Sequence, residues 1–196
     1  PDADYLGEVQ RVVNVEAWML YFAVETLVDN RETNLANGAN GTGEGDDYFL
    51  YRGVADRRFR VVPYDLDSIL GQGTSSARVD DSLFRMRAVT TMDRFIRQPE
   101  FVRVYYRTLK RLCDTTFSDA QLGLLLDQML TGLVPASVIT SMKNFGAERR
   151  AYVLSQIPLS LVGSNNLTLS SGYPRSTSAT VALMGGAHAA NTAAVT

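Results

Sequence analysis

The chain has 196 residues, of which 45% are hydrophobic and 20% charged, and its net charge is -2 at neutral pH. This length and balance are typical of one globular domain with a short extension, and they exclude a disordered chain, a collagen and a coiled coil. The longest apolar stretch, residues 17–24, is far shorter than the about 20 residues that a membrane-spanning helix needs, so no membrane span is predicted. The nearly neutral charge predicts no nucleic-acid partner.

The first half of the chain predicts a buried helix, a loop and a hairpin. Residues 12–28 are apolar on nearly every side, as in a central buried helix. Residues 33–47, TNLANGANGTGEGDD, are rich in Gly and Asn and predict a long exposed loop. The β-prone runs 48–51 and 59–62 predict one β-hairpin, which Pro63 ends.

The second half changes from a helical pattern to a different composition. A helical period fills residues 80–156, with a start at Pro99, a capping signature at Ser118 and a last helix over 139–156. Residues 159–196 are rich in Ser, Thr, Ala, Asn and Gly and carry one charged residue, Arg175. They predict a linker or the start of a β-rich module.

The basic side chains are concentrated in one part of the helical region. Residues 85–111 carry eight Lys and Arg against two acidic residues, Asp93 and Glu100. Such a run is usually a solvated helix face, and docking of an acidic partner is the alternative interpretation.

The residues that could carry chemistry are aspartates and an asparagine. The only cysteine is Cys113 and the only histidine is His188, which excludes an internal disulfide and a thiolate zinc site and disfavours histidine-based catalysis. Phosphoryl transfer from a nucleotide needs neither residue type, because it relies on a carboxylate near the acceptor hydroxyl and on hard oxygen ligands for Mg²⁺.

The order of these residues matches that requirement. The buried helix ends at Asp29, Asn34 follows five residues later, and the hairpin is followed by Asp65 and Asp67. Protein kinases place a catalytic-loop Asp, an Asn, a hairpin and a metal-binding Asp in this sequence order. Each element alone is common in loops and helix caps, so the joint arrangement carries the prediction.

The same residues carry a family resemblance. The runs VNVEAWMLYFAVETLVDNRETN, DDYFLYR, FRVVPYDLDSILG, QPEFVRVYYRTLKRLC and ERRAYVLSQ resemble the C-terminal half of the spore-coat protein H (CotH) kinase family. The resemblance covers residues 12–157. It implies an α-dominated (α+β) fold, a protein-kinase-like C-terminal lobe over residues 1–158 with a central buried helix, one small β-hairpin and a following helical bundle.

The resemblance also implies roles for individual residues. Asp29 would be the catalytic-loop aspartate, Asn34 and Asp65 would bind the metal-nucleotide cofactor, and Asp67 would be a further metal-supporting acid. Asn37 and Asn40 are alternatives to Asn34, because the Gly-rich insertion follows it directly. The implied cofactors are ATP and Mg²⁺ (or Mn²⁺). The implied acceptor is a Ser/Thr-containing coat or secreted protein, and the implied location is extracellular, on the spore surface or in the cell envelope.

The resemblance leaves one part of a kinase unassigned. The family's nucleotide-anchoring loop and lysine belong to an N-terminal lobe that residues 1–12 are too few to form. We therefore expect the 196 residues alone to be an inactive kinase fragment that binds ATP very weakly. The alternative function is a catalytically silent module stabilised by Ca²⁺ bound to oxygens of residues 34–47, although their spacing differs from an EF-hand loop.

Overall fold

The computed structural model describes residues 2–37, 47–160 and 162–190, without the side chains of residues 2, 3, 34 and 37. It divides into two compact units, Pro1–Ile157 and Pro158–Thr196. The helices of the larger unit are α1 (Asp2–Val12), α2 (Val15–Val28), α3 (Asn34–Asn37), a 3₁₀ helix (Arg85–Ala88), α4 (Thr90–Ile96), α5 (Pro99–Asp114), α6 (Asp119–Leu130) and α7 (Ala136–Gln156). Its strands are β1 (Tyr48–Arg52) and β2 (Phe59–Pro63).

Helix α2 is the predicted central helix. It begins at Val15 because Asn14 caps it, accepting a hydrogen bond from the Ala17 N–H at 3.0 Å. Met19, Phe22 and Ala23 are fully buried, and burial of a large apolar side chain contributes about 1.5–3 kcal/mol. The prediction of a buried helix here is confirmed, with a start three residues later than the sequence pattern indicated.

Helix α5 packs against α2 and fixes the segment before the 3₁₀ helix. Pro99 occupies the first turn of α5, as predicted. The buried Tyr105 hydroxyl donates to the Leu83 carbonyl at 2.6 Å. Because the Tyr105 hydroxyl proton is engaged there, the Thr26 hydroxyl of α2 is the donor in the 2.8 Å hydrogen bond between Thr26 and Tyr105. One tyrosine therefore connects α5, α2 and the segment before the 3₁₀ helix.

The hairpin is held to α2 by one face. Strands β1 and β2 pair antiparallel, with Leu50 opposite Val61 and Phe49 opposite Val62. Val61 is buried, and the Trp18 indole of α2 donates to the Phe59 carbonyl at 3.0 Å. Within the described part of residues 1–157 this two-stranded sheet is the only one, so the prediction of one small hairpin is confirmed.

Three boundaries differ from the sequence expectations. The helical pattern assigned to residues 80–156 was wrong at its start, because residues 80–84 are irregular and the first α-helix, α4, begins at Thr90. The segment 34–37, assigned to a loop, forms the one-turn helix α3, because Leu35 and Ala36 are buried in the core. Helix α7 begins at Ala136, three residues before the predicted start, directly after Pro135.

The smaller unit is made of short antiparallel pairs. Strand β3 (Val162–Ser164) pairs with β6 (Met184–Gly186), and β4 (Thr168–Ser170) pairs with β5 (Tyr173–Arg175). The sequence of this unit contains two short β-prone runs, residues 167–169 and 180–183; the first overlaps β4, whereas the second forms no strand. The chain as described is α+β with helices dominating, which confirms the predicted fold class at that level.

Candidate active site

The loop after β2 returns to the C-terminal end of α2. The Leu70 N–H donates to the Val28 carbonyl at 2.7 Å, and the Arg31 N–H donates to the Ser68 carbonyl at 3.3 Å. Residues 65–70 therefore run beside residues 28–31. The two sequence segments that carry the predicted site residues are brought together by backbone hydrogen bonds.

Asp29 lies at the end of α2, beneath a layer of arginines. It has a left-handed backbone (φ 51°), which aspartate tolerates better than most residues, and its N–H closes the helix on the Glu25 carbonyl. Its carboxylate accepts from the Arg78 backbone N–H at 2.9 Å and from the Arg85 and Arg31 guanidiniums at 3.3 and 3.4 Å. The side chain is 1% exposed, so the carboxylate of Asp29 is closed to solvent in this arrangement.

Two further charged residues complete this layer. Asp81 forms ion pairs with Arg31 and, at 3.1 Å, with Arg85. Arg149 of α7 is fully buried and lies close enough to Asp29 for their charges to interact. Burial and the neighbouring Arg31 lower the pKa of Arg85 to about 10. Arg31 and Arg85 thus each pair with both Asp29 and Asp81, and Arg149 adds a buried positive charge nearby. The sequence motifs did not indicate this arrangement, because its members come from distant parts of the chain.

Glu32 is a site residue that the sequence analysis missed. Its exposed carboxyl lies against Asp67, and the hydrogen bond and charge of Asp67 raise the pKa of Glu32. Asp47, whose carbonyl accepts from the Tyr64 N–H at 2.9 Å, adds a smaller repulsion. The signal available in the sequence was a second acid-to-asparagine spacing of five residues, from Glu32 to Asn37.

Of the remaining predicted site residues, Asp65 is fully described by the structure and the asparagines are described only in part. Asp65 is exposed and has a positive φ of 50°. Asn34 begins α3, but its side chain and that of Asn37 lie outside the described structure, as does the whole of Asn40. The choice among the three asparagines therefore stays a prediction. Most of the predicted calcium loop, residues 38–46, also lies outside the described residues.

The donors present are suited to a hard divalent cation. Asp67 and Glu32 place two carboxylates side by side, and the repulsion between them would be relieved by a cation bound to both. Over residues 2–37, 47–160 and 162–190 no group of three or more His, Cys, Asp or Glu side chains is close enough to hold a metal. Asp67 and Glu32 could supply part of a coordination shell, and a bound Mg²⁺ would need water or phosphate oxygens to complete it.

Glu25 is a buried acid behind this site. It is 3% exposed, and neither carboxylate oxygen makes a hydrogen bond within the described structure. Burial raises the pKa of Glu25 from 4.5 to about 7, although the nearby Asn30 amide opposes the change. Because the folded protein holds this proton more tightly than the unfolded chain, stability is lost as the pH rises from 4.5 to about 7.

We expect Glu25→Gln to remove this pH dependence. The variant should be more stable than the original chain by about 3 kcal/mol at pH 8 and nearly equal to it at pH 4, where both forms are neutral. Urea unfolding of both proteins at the two pH values measures the difference. Glu148→Gln, at an exposed position of α7, is the matched control and should show no such change; an equal gain at both pH values for Glu25→Gln would contradict the assigned cause.

Comparison with known proteins gives the class of the chain. Residues 1–150 match the family described as CotH kinase protein, and the chain belongs to this family. A relative named inner spore coat protein H, from Bacillus subtilis (strain 168), is 24% identical over 119 residues, which cover 60% of this chain and 30% of the relative. No solved structure matches, so the kinase-like lobe stays a prediction. Among the described residues no helix is long and apolar enough to cross a membrane.

Proposed function

We propose that this chain forms the C-terminal lobe of an atypical protein kinase. The reaction is transfer of the γ-phosphoryl group of ATP to a Ser or Thr hydroxyl, with Mg²⁺ or Mn²⁺. The observation that carries the proposal is the return of residues 65–70 to the end of α2, joined by the hydrogen bond between Leu70 and Val28. It accompanies the contact of Asp67 with Glu32, and adjacent carboxylates of this kind would serve phosphoryl transfer by holding the metal near the acceptor.

The acids after β2 would hold the metal. Asp65 is exposed, and Asp67 shares its surroundings with Glu32; with an asparagine of segment 34–40 these oxygens would bind the cation. The cation, when bound, would neutralise charge on the phosphates. The positive φ of Asp65 sets the direction in which its carboxylate leaves the chain.

Two carboxylates are candidates to orient the acceptor hydroxyl and receive its proton. Asp29 is the residue that the family resemblance assigns, and in that role Arg31 and Arg85 would move aside as the substrate enters. Glu32 is exposed and requires no such movement, and its raised pKa favours proton uptake. Comparison of Asp29→Asn with Glu32→Gln separates them, because the base is the one whose loss changes the pH dependence of turnover.

The proposal is tested by phosphate transfer in the longest natural form of the protein that contains these residues. With Mg-ATP and a serine-containing acceptor, Asp65→Asn should lower turnover at least about 100-fold, the scale of losing one electrostatic contact in an active site. Thermal unfolding should be unchanged, since Asp65 is exposed. Asp127→Asn, at another exposed aspartate that pairs with Lys143, is the control. Full turnover in Asp65→Asn would remove its metal role.

We further propose that the acceptor is a Ser/Thr-containing coat or secreted protein, and that the protein acts at the spore surface or in the cell envelope. The support is the name of the Bacillus subtilis relative, which is a spore coat protein. Colocalisation of a tagged protein with coat fractions of sporulating cells tests the location, and recovery only from the cytosol would contradict it.

A further inference from the structure

A groove lined by arginines lies between α2, β2 and α5. It consists of two adjoining cavities of about 410 and 480 Å³, whose walls share Asn14, Glu16 and Val104. The cavity of about 410 Å³ has an apolar side, formed by Ala17 and Leu20 of α2 and Val104 of α5. This volume is within the range of about 300–1,000 Å³ that ligand sites occupy.

The arginines are arranged as one row facing one strand residue. Arg103, Arg107 and Arg111 follow each other at four-residue spacing on α5, and Arg60 stands on β2 across the 410 Å³ cavity from the last two. The opposite face of α5 is buried in the core, so helix geometry directs this row outward. Like charges at this spacing destabilise a helix.

The positive charge is in excess at one end of the groove. The 410 Å³ cavity is lined by Arg60, Arg107 and Arg111 against the single acid Glu16. Arg60 has only a long, exposed contact of 3.4 Å with Asp56. Arg107 and Arg111 are exposed and make no side-chain hydrogen bond or ion pair with another described residue. Arg107 and Arg111 therefore offer the cavity two guanidiniums that pair with no acid of the described structure.

We propose that this cavity, the arginine groove, binds a phosphorylated Ser or Thr side chain of a peptide, and this inference rests on the proposed kinase function. A phosphoryl group carries about -1.5 to -2 charge and three acceptor oxygens at neutral pH, which matches three guanidiniums offset by one glutamate. One guanidinium can donate two parallel hydrogen bonds to two oxygens of a phosphate. Clusters of arginine are the usual means by which proteins recognise phosphorylated side chains. A single carboxylate would leave the charge excess largely unmatched.

The position of the arginine groove connects it to the candidate active site. Strand β2 runs from Arg60 toward Asp65, and five residues of extended chain span at most about 18 Å. A peptide whose phosphorylated residue occupies the groove can therefore place an unmodified hydroxyl, about five residues away, at the site. The groove would favour substrates that already carry one phosphate, so that a serine-rich protein is modified in succession.

Binding of three labelled peptides to the full 196-residue chain tests the proposal. The peptides differ only at a central position, which is phosphoserine, serine or aspartate, and binding is followed by fluorescence anisotropy without nucleotide. The phosphoserine peptide should bind at least tenfold more tightly than the other two, and Arg107→Gln combined with Arg111→Gln should weaken it at least tenfold. Arg60→Gln, on the other wall, should also weaken it, whereas Arg97→Gln, an exposed arginine that pairs with Asp93 outside the groove, should not.

Any of three other binding results would overturn the inference. Equal binding of the aspartate peptide would make the groove a general site for acidic chains, and displacement by inorganic phosphate at the same concentration would reduce it to a site for the free ion. Stronger competition by a single-stranded oligonucleotide would identify a nucleic-acid surface. Because the binding assay uses no ATP, the two failures can be told apart. Peptide binding by the 196-residue chain together with no phosphate transfer by the longest natural form would sink the proposed function alone, and transfer by that form without peptide binding would sink this inference alone.

Discussion

Replacing Arg149 by methionine is expected to lower the free energy of unfolding by about 4 kcal/mol. The buried guanidinium donates to the carbonyls of Thr26 and Val79 at 2.9 Å and to that of Asp81 at 2.6 Å. Methionine fills most of the same volume but leaves these acceptors in the interior without donors, and it removes the positive charge beside Asp29. An unsatisfied buried group costs about 1–3 kcal/mol.

The measurement is chemical denaturation of the 196-residue chain, supported by thermal unfolding, in which a loss of this size lowers the melting temperature by roughly 10 °C. Arg97→Met is the matched control, because Arg97 is exposed at the end of α4 and pairs only across the surface with Asp93. Surface pairs contribute about 0–1 kcal/mol. Equal losses in the two variants would show that the buried hydrogen bonds of Arg149 contribute nothing specific.

The second large effect is expected at Gly73, which lies against the loop of the candidate site. Its φ is +72°, and a Cβ placed there would lie 2.9 Å from the Ser68 Cα and closer still to the Asp67 carbonyl oxygen. Ser68 is buried, so the loop has little room to move away. Gly73→Ala should therefore cost about 3 kcal/mol, from the backbone strain and the collision together, and should displace Asp67.

Gly132 provides the control for the backbone term. Its φ is +82°, but nothing lies within 4 Å of a Cβ placed there. Gly132→Ala should cost about 1 kcal/mol, the strain of a left-handed residue alone. Denaturation of both variants, with phosphate transfer measured in the longest natural form of the protein, separates the two contributions. Equal costs, or full transfer by Gly73→Ala, would mean that the loop adapts freely and that its position is unimportant.

The sequence predicted those elements whose signals are local. Helix α2 is apolar on all sides, the hairpin has two β-prone runs and a terminating proline, and Ser118 caps α6 by accepting a hydrogen bond from the Gln121 N–H. The irregular start of the 80–156 region could not be read in this way. The carbonyls of Val79 and Asp81, on either side of Asp80, accept hydrogen bonds from Arg149, which lies 70 and 68 residues later. Such a tertiary contact overrides a local helical period.

The candidate site was predictable only in part for the same reason. Order along the chain indicated that Asp65 and Asp67 follow the hairpin, and the backbone return to α2 is consistent with that expectation. The arginine layer over Asp29 depends on residues 31, 78 and 85 meeting in space. Nor does spacing distinguish a buried carboxylate from an exposed one, so Glu32 gave no stronger signal than its neighbours.

The hydrogen bonds of Arg149 also determine when the candidate site can form during synthesis. The guanidinium that joins α7 to the end of α2 is separated from its acceptor Thr26 by 123 residues. At about 5–20 residues per second, translation reaches this arginine several seconds after α2 has been made. The layer around Asp29 therefore stays incomplete until α7 has left the ribosome, and a nascent chain lacks an assembled site while its earlier helices are already present.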